Sequence, residues 1–215
     1  MVVVFEILVS LLYNLSILKM AELFKNISKE LSRKFAHIMI ANWWFMAIIF
    51  NDVVVNITVP VIMMIIMSLS YKLNIFKSVE RNKQEFSYGT IYYFISLIIL
   101  IAIGYLTYGS IIKMGIFFLP LGYGDGAAAL FGKYFHWHNY KIFGSTKSLS
   151  GNIAMFIVSF ISILIYNYLF LRVYNIRELV IIGLVATFIE ATSVKGIDNF
   201  TIPIVTYLIT IVAIG

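Results

Sequence analysis

A glycine-lined turn that ends in one acid holds the residue types best suited to phosphate chemistry. Residues 122–133 read Gly-Tyr-Gly-Asp-Gly-Ala-Ala-Ala-Leu-Phe-Gly-Lys, with Asp125 between Gly124 and Gly126. Glycine lets the backbone approach a ligand and point N–H groups at anionic oxygens, and a carboxylate beside it can hold a hard cation that bridges phosphates. Because an ionisable side chain at membrane depth is costly, it usually has a function there. The turn therefore predicts nucleotide chemistry at a membrane.

The polar stretch over residues 133–152 is the second candidate. Its lysines and backbone N–H groups can bind a polyphosphate, and its end can form the N-terminus of the next helix, an anion-binding position. The spacing is not that of a P-loop. A solvated connector is the alternative when the stretch is considered alone. His136 and His138 lack a third ligand nearby and are expected to be interfacial. The predicted nucleotide-binding residues of the turn and the stretch are Gly124, Gly126, Lys133, Lys141, Gly144, Ser145, Thr146, Lys147, Ser148, Gly151 and Asn152.

Three further polar groups allow two interpretations each. Arg33 and His37 lie four residues apart, on one helical face beside Lys34, and would either bind an anion or form a membrane anchor on the positive side. Glu190 and Asp198 could converge with Asp125 on a cation, or Glu190 could pair with a lysine. Gln84-Glu85 is a weaker signal, since acids also favour the start of a helix.

Composition independently indicates a membrane protein. The chain is 61% hydrophobic and 12% charged, whereas soluble domains average about 45–50% apolar residues. The absence of cysteine excludes disulfides and thiolate catalysis. The net charge of +6 is interpreted as membrane orientation rather than nucleic-acid binding, because the basic residues lie in short loops between apolar runs.

Apolar runs predict an all-α, polytopic integral membrane protein with about eight transmembrane helices, within a range of seven to nine. No linker divides the chain, so one membrane-embedded domain over residues 1–215 is expected. Only Lys113, Arg172 and Arg177 fall in one set of alternate loops, and the other basic residues fall in the opposite set. The positive-inside rule puts that opposite set, with all candidate site residues, in the cytoplasm. The predicted spans are 2–18, 35–50, 53–71, 88–107, 111–131, 151–171, 179–194 and 200–215.

Four motifs in this order resemble the polyprenol kinase family, which includes dolichol kinase, phytol kinase and CTP-dependent diacylglycerol kinase. They are Glu-x-x-Arg-Lys-x-x-His from residue 30, Gly-Asp-Gly-x-Ala-x-x-x-Gly-Lys from 124, Lys-x-x-Gly-Ser-x-Lys-Ser-x-x-Gly-Asn from 141, and Glu190 followed by Asp-Asn-x-x-x-Pro. The resemblance implies transfer of the γ-phosphoryl group of CTP to a membrane lipid alcohol, with Mg²⁺ or Mn²⁺. The chain departs from many relatives around Gly151, which leaves the subclass of lipid open.

Within that reaction, the residues take the following expected roles. Asp125, Glu190 and Asp198 would hold the cation, while Arg33, Lys34 and the lysines of residues 133–147 neutralise phosphate charge. A carboxylate or His37 would accept the lipid hydroxyl proton. A homodimer is compatible with this scheme. The predicted catalytic residues are Asp125, Lys147, Glu190 and His37.

Two alternatives belong to other functional classes. A cytidylyltransferase would attack the α phosphate of CTP with a lipid phosphate, but the Asp198-Asn199 region is a poor match to the signature of that distantly related family. A transporter would use Asp125 and Glu190 to line an ion path. Clustering of the cationic residues on one face of the membrane argues against transport.

Overall fold

The computed structural model describes residues 1–73, 75–76, 89–135, 137–194 and 196–214, and these are almost entirely helical. The predicted all-α class is confirmed, with one short two-stranded hairpin as the addition to it in the described part of the chain. The sequence predictions made for Gln84-Glu85, His136 and Lys195 lie outside the described residues.

Five described helical segments are long and apolar enough to cross a membrane, so the predicted count of about eight is not confirmed. The predicted span 35–50 is interrupted at Asn42 and falls in two helices, Lys29–Ala41 with 13 residues and Trp43–Phe50 with 8 residues. Most of the predicted span 179–194 falls in a helix of 17 residues, Ile176–Thr192. These lengths fall below the about 20 residues that a crossing needs. The five segments are Val2–Phe24, Val53–Leu73, Gly89–Tyr108, Ile112–Phe135 and Leu149–Leu171.

The chain divides into two compact units, residues 1–111 and 112–215. In the first unit, α1 packs against α2, α3 and α4, and α4 packs against α5. The buried Asn56 amide donates to the Ala47 carbonyl at 3.0 Å and to the Tyr105 hydroxyl at 2.9 Å, which connects three of these helices. The helices are α1 Val2–Ala21, α2 Lys29–Ala41, α3 Trp43–Phe50, α4 Val53–Leu73 and α5 Gly89–Tyr108.

The second unit is organised around one central helix, α8, which packs against α7, α9 and a π-helical segment, Pro120–Asp125. Helix α10 packs against α6 and α9. The Ser148 hydroxyl caps α8 by accepting from the Gly151 N–H at 3.1 Å, as expected for serine at a helix start. The helices are α6 Gly115–Leu119, α7 Gly126–Phe135, α8 Leu149–Tyr166, α9 Ile176–Thr192 and α10 Asp198–Ile214.

Small residues let the neighbours of α8 approach its backbone closely. A Cβ atom on Gly151 would lie 2.9 Å from the Ala128 carbonyl oxygen, and one on Gly132 would lie 2.8 Å from the Ser148 hydroxyl. A Cβ atom on Gly124 would collide with α8 as well, at 2.7 Å from the Met155 sulfur. Small residues at such contacts are typical of helix packing in membranes. These glycines therefore fix the depth at which α7 and the segment before it sit against α8.

A β-hairpin connects α7 to α8 and was not foreseen in the sequence. Strands β1 (Asn139–Ile142) and β2 (Ser145–Ser148) pair in antiparallel register, with Tyr140 opposite Lys147 and Lys141 opposite Thr146. Phe143 and Gly144 form the two-residue turn, with φ values of 44° and 77°. Positive φ at both positions is the signature of a type I′ turn, whose twist matches that of the strands. The polar stretch is thus an ordered element with two distinct faces.

Candidate active site

Alternation along the hairpin separates its polar residues into two sets. Successive side chains of a strand point to opposite sides, and directly paired residues share a side. We name Tyr140, Ile142, Ser145 and Lys147 the inner face, and Asn139, Lys141 and Thr146 the outer face. Ser148, which pairs with Asn139, is buried where β2 meets α8 and is counted in neither face. The inner-face residues are half-buried and the outer-face residues are exposed. The two lysines that were predicted to bind nucleotide together therefore lie on opposite faces of one hairpin.

Lys147 of the inner face forms an ion pair with Glu190 near the end of α9. Side-chain exposure is only 15% for Lys147 and 7% for Glu190. Burial alone would lower the pKa of the Lys147 ammonium, but the facing Glu190 carboxylate, with contributions from Asp198 and Asp125, raises it above its ordinary value. The Lys147 ammonium is therefore favoured by the three carboxylates of Glu190, Asp198 and Asp125.

Lys147, Glu190, Asp125 and Asp198 lie at or near the ends of four different elements of the second unit. Asp125 closes the π-helical segment and is 4% exposed. Lys147 is the penultimate residue of β2, Glu190 lies in the last turn of α9, and Asp198 begins α10. The charges of Asp125 and Asp198 also act on Glu190. Glu190 thus pairs with Lys147 in this structure, and its predicted role as a cation ligand stays a prediction.

Two neighbouring groups complete the inner face. The Asn152 amide donates to the Tyr140 hydroxyl at 2.7 Å, and this contact holds the hairpin against α8. The Ser145 hydroxyl is buried and has no hydrogen-bond partner among the residues that the structure describes. A buried hydroxyl without a partner is costly, so a ligand oxygen at this position would satisfy it. Tyr140 was missed by sequence reasoning, although a period of two around the Phe143-Gly144 turn would have placed it beside Lys147.

The other predicted nucleotide-binding residues of this unit have structural positions that the motif spacing did not reveal. Gly151 is packed against α7, and Ser148 caps α8. Gly126 is buried at the start of α7, and Gly144 takes the left-handed turn position. Lys133 is exposed in the last turn of α7, with its ammonium 5.9 Å from the centre of the Tyr134 ring.

In the first unit, the predicted site residues Arg33, Lys34 and His37 all lie on α2. The Arg33 guanidinium binds both carboxylate oxygens of Glu30 at 2.6 Å. Lys34 is buried, and the His37 ring packs edge-on against Tyr93, with 4.9 Å between ring centres. Glu30 thus fixes the orientation of Arg33, while His37 lies in an aromatic environment.

The donor set of the second unit suits a hard cation. Among the described residues, no group of three or more His, Cys, Asp or Glu side chains is positioned to hold a metal ion by itself. Mg²⁺, however, is usually held by one or two carboxylates together with substrate phosphates and waters. Buried Asp125, with the carboxylates of Glu190 and Asp198 nearby, fits that mode of binding rather than an all-protein cage.

Comparison with known proteins gives one significant curated relative. The chain is 32% identical over 201 residues to the phytol kinase of Synechocystis sp., and the match covers 88% of this chain and 83% of the relative. No protein-family model matches the chain, and no solved structure matches it significantly. The similarity extends over both units, since it covers nearly nine-tenths of the sequence.

Proposed function

The chain belongs to the polyprenol/phytol kinase family, and from that premise we propose that it phosphorylates a membrane lipid alcohol. The observation that carries the proposal is the similarity to a phytol kinase over 88% of the chain, together with the cluster of Lys147, Glu190, Asp125 and Asp198. The proposed donor is CTP, as the four motifs imply, and the proposed acceptor is an isoprenoid alcohol of the phytol or polyprenol type.

The proposed reaction is an in-line transfer of the γ-phosphoryl group. The lipid hydroxyl oxygen forms a bond to the γ phosphorus, the bond from that phosphorus to the β–γ bridging oxygen breaks, and CDP leaves. The hydroxyl proton passes to a base, for which His37 and the carboxylates are the candidates. Such a transfer depends mainly on positioning and on neutralising the phosphate oxygens.

Residues of the inner hairpin face would serve the donor phosphates. The Lys147 ammonium is held in place by Glu190, and the unpartnered Ser145 hydroxyl lies on the same face. When phosphate oxygens arrive, they compete with Glu190 for the Lys147 ammonium. A bound divalent cation, held by Asp125 with Glu190 and Asp198, would neutralise charge on the transferred group. The sequence prediction that Arg33 and Lys34 bind phosphate stays a prediction.

The membrane location determines how the acceptor lipid would reach the site and which side of the bilayer the site would face. The lipid would enter sideways from the bilayer, with its tail between helices and its hydroxyl at headgroup level. The proposed active side is the cytoplasmic one, because most lysines and arginines fall in loops on that side under the positive-inside rule. CTP is available in that compartment.

A labelling experiment tests the reaction. Purified protein in liposomes receives Mg²⁺, phytol and CTP labelled at either the γ or the α phosphate. The proposal predicts γ label in the organic phase as a lipid monophosphate, with α label left in water as CDP. Appearance of α label in lipid with release of pyrophosphate would instead establish a cytidylyltransferase. No transfer of either label to phytol, a polyprenol or diacylglycerol, with ATP also tried as donor, would overturn the kinase assignment.

A further inference from the structure

The tip of the hairpin carries an aromatic residue in an unfavourable place. Phe143 occupies the first turn position at φ 44° and is 75% exposed. Asn, Asp and Gly normally fill this position of a type I′ turn, because bulky side chains are disfavoured at positive φ. Exposure of the ring to water would add a second cost. Among the described residues, no ring or hydrogen-bond contact of the Phe143 side chain offsets these two costs.

The position of the hairpin offers an environment that would offset them. It connects α7, which ends the candidate span Ile112–Phe135, to α8, which begins the candidate span Leu149–Leu171. Two consecutive membrane crossings joined by a short connection must emerge on the same side of the bilayer. The hairpin therefore lies at the level where the hydrocarbon meets the headgroups, and aromatic side chains are enriched at that level.

Charge and exposure match this environment on the outer face. Lys141 is exposed there, two residues before Phe143, and its charge is directed away from the acidic cluster because Lys147 occupies the inner face. Trp137, which is 51% exposed, precedes β1. Exposed aromatic rings next to lysines bind a bilayer surface by inserting the rings among the headgroups while the ammonium groups contact lipid phosphates.

We propose that the tip of the hairpin and the adjoining outer-face residues Lys141 and Thr146 form a lipid-binding surface, in which Phe143 inserts into the bilayer interface and Lys141 binds an anionic headgroup. This contact is separate from the acceptor lipid, since the inner face carries the acidic cluster. It anchors the hairpin from the membrane side, and the Tyr140–Asn152 hydrogen bond and the Lys147–Glu190 ion pair anchor it from the protein side.

The lack of native cysteine makes a direct test simple, because any introduced thiol is the only one in the chain. We would label Phe143→Cys and, separately, the matched outer-face variant Asn139→Cys with a nitroxide. The full chain would be placed in nanodiscs of zwitterionic lipid, with or without about one-third anionic lipid. Collision with oxygen, which concentrates in lipid, would be compared with collision with a water-soluble nickel chelate. The proposal predicts oxygen-dominated relaxation at 143 and nickel-dominated relaxation at 139.

A label at a second position allows Phe143 to stay in place in the reference protein. A nitroxide at Thr146→Cys, opposite Lys141 in the register, should lose oxygen accessibility when Phe143→Asn is added, because asparagine keeps the turn but removes the ring. Lys141→Gln should move this label toward water in anionic nanodiscs and have no effect in zwitterionic ones. Nickel-dominated relaxation at 143 in both lipids, or a Thr146 label that ignores Phe143→Asn, would overturn the proposal. Neither readout depends on turnover, so these outcomes are independent of the kinase assignment.

Discussion

The inner and outer faces of the hairpin carry similar polar residues but have opposite surroundings. Lys147 on the inner face is held by Glu190 and acted on by two further carboxylates, whereas Lys141 on the outer face is exposed. These lysines are six positions apart in the chain, and the register places them on different sides. A set of lysines in one polar stretch is therefore not one binding surface, because strand geometry decides which chemistry each lysine can join.

The largest expected effect is at Asp125, one of the acids whose charge acts on Lys147. Asp125→Asn keeps the shape of the side chain but removes the charge proposed to hold the cation, so turnover should fall by on the order of 100–1,000-fold or more. The rate of γ-label transfer to phytol measures it, and an unchanged thermal unfolding midpoint is the control. A variant with a near-native rate would remove Asp125 from the site.

The ion pair of the inner face should show strong coupling in stability. Removing one partner leaves the other, largely buried charge without its counter-ion, so Glu190→Gln and Lys147→Met should each destabilise the fold, and the double variant by less than their sum. A coupling free energy of about 0.5–3 kcal/mol is expected. The raised pKa of Lys147 means that its contribution is complete below the ordinary lysine pKa and is lost as pH rises through the folded value. Denaturant unfolding at pH 7 measures the cycle, and additive effects would contradict the pairing.

Variants of two glycines separate the effect of close helix packing on stability from the effect of turn conformation. Gly151→Asn forces a Cβ atom to 2.9 Å from a backbone oxygen and should destabilise the fold by about 1–3 kcal/mol. Gly144→Asn should cost much less, because asparagine tolerates positive φ and the space around Gly144 is open. Unfolding midpoints compare the two variants. Equal losses would mean that the contact between α7 and α8 does not limit stability.

The smallest effect is expected at Lys113, which lies in the loop predicted to face away from the cytoplasm. Lys113→Ala should leave both phosphoryl transfer and nucleotide binding within experimental error. A thiol introduced at position 113 should also react with an impermeant reagent only from the side opposite to a thiol at Asn139. Reaction of both positions from the same side would contradict the predicted sidedness.

Much of the helical fold could be predicted because apolar runs and capping residues are local signals. Helix α4 begins at Val53, as the predicted span 53–71 does, and α8 begins at Leu149, two residues before the predicted span 151–171. The number of crossings was harder to predict, because the run over 35–50 looks continuous in hydropathy but is divided at Asn42. Hydropathy alone does not show where backbone geometry ends one helix and begins another.

The candidate site was predicted by residue type more readily than by arrangement. Asp125, Lys147, Glu190 and Asp198 were all named, yet the partner of Glu190 was left open because a contact across 43 positions has no local signature. The hairpin was missed because its turn is Phe-Gly instead of the common Asn-Gly or Asp-Gly. The packing role of Gly151 was also hidden, since it depends on where α7 crosses α8.

The most direct test of the central claim is γ-phosphoryl transfer from labelled CTP to phytol by Lys147→Met and Lys141→Met, measured side by side in the same liposomes. We expect a loss of on the order of 10–1,000-fold in kcat/KM for Lys147→Met, because a charge-assisted phosphate contact is removed. For Lys141→Met we expect a change of no more than about threefold, in line with the small effects of exposed charges. Equal losses in the two variants, or a larger loss for Lys141→Met, would contradict the assignment of nucleotide chemistry to the inner face.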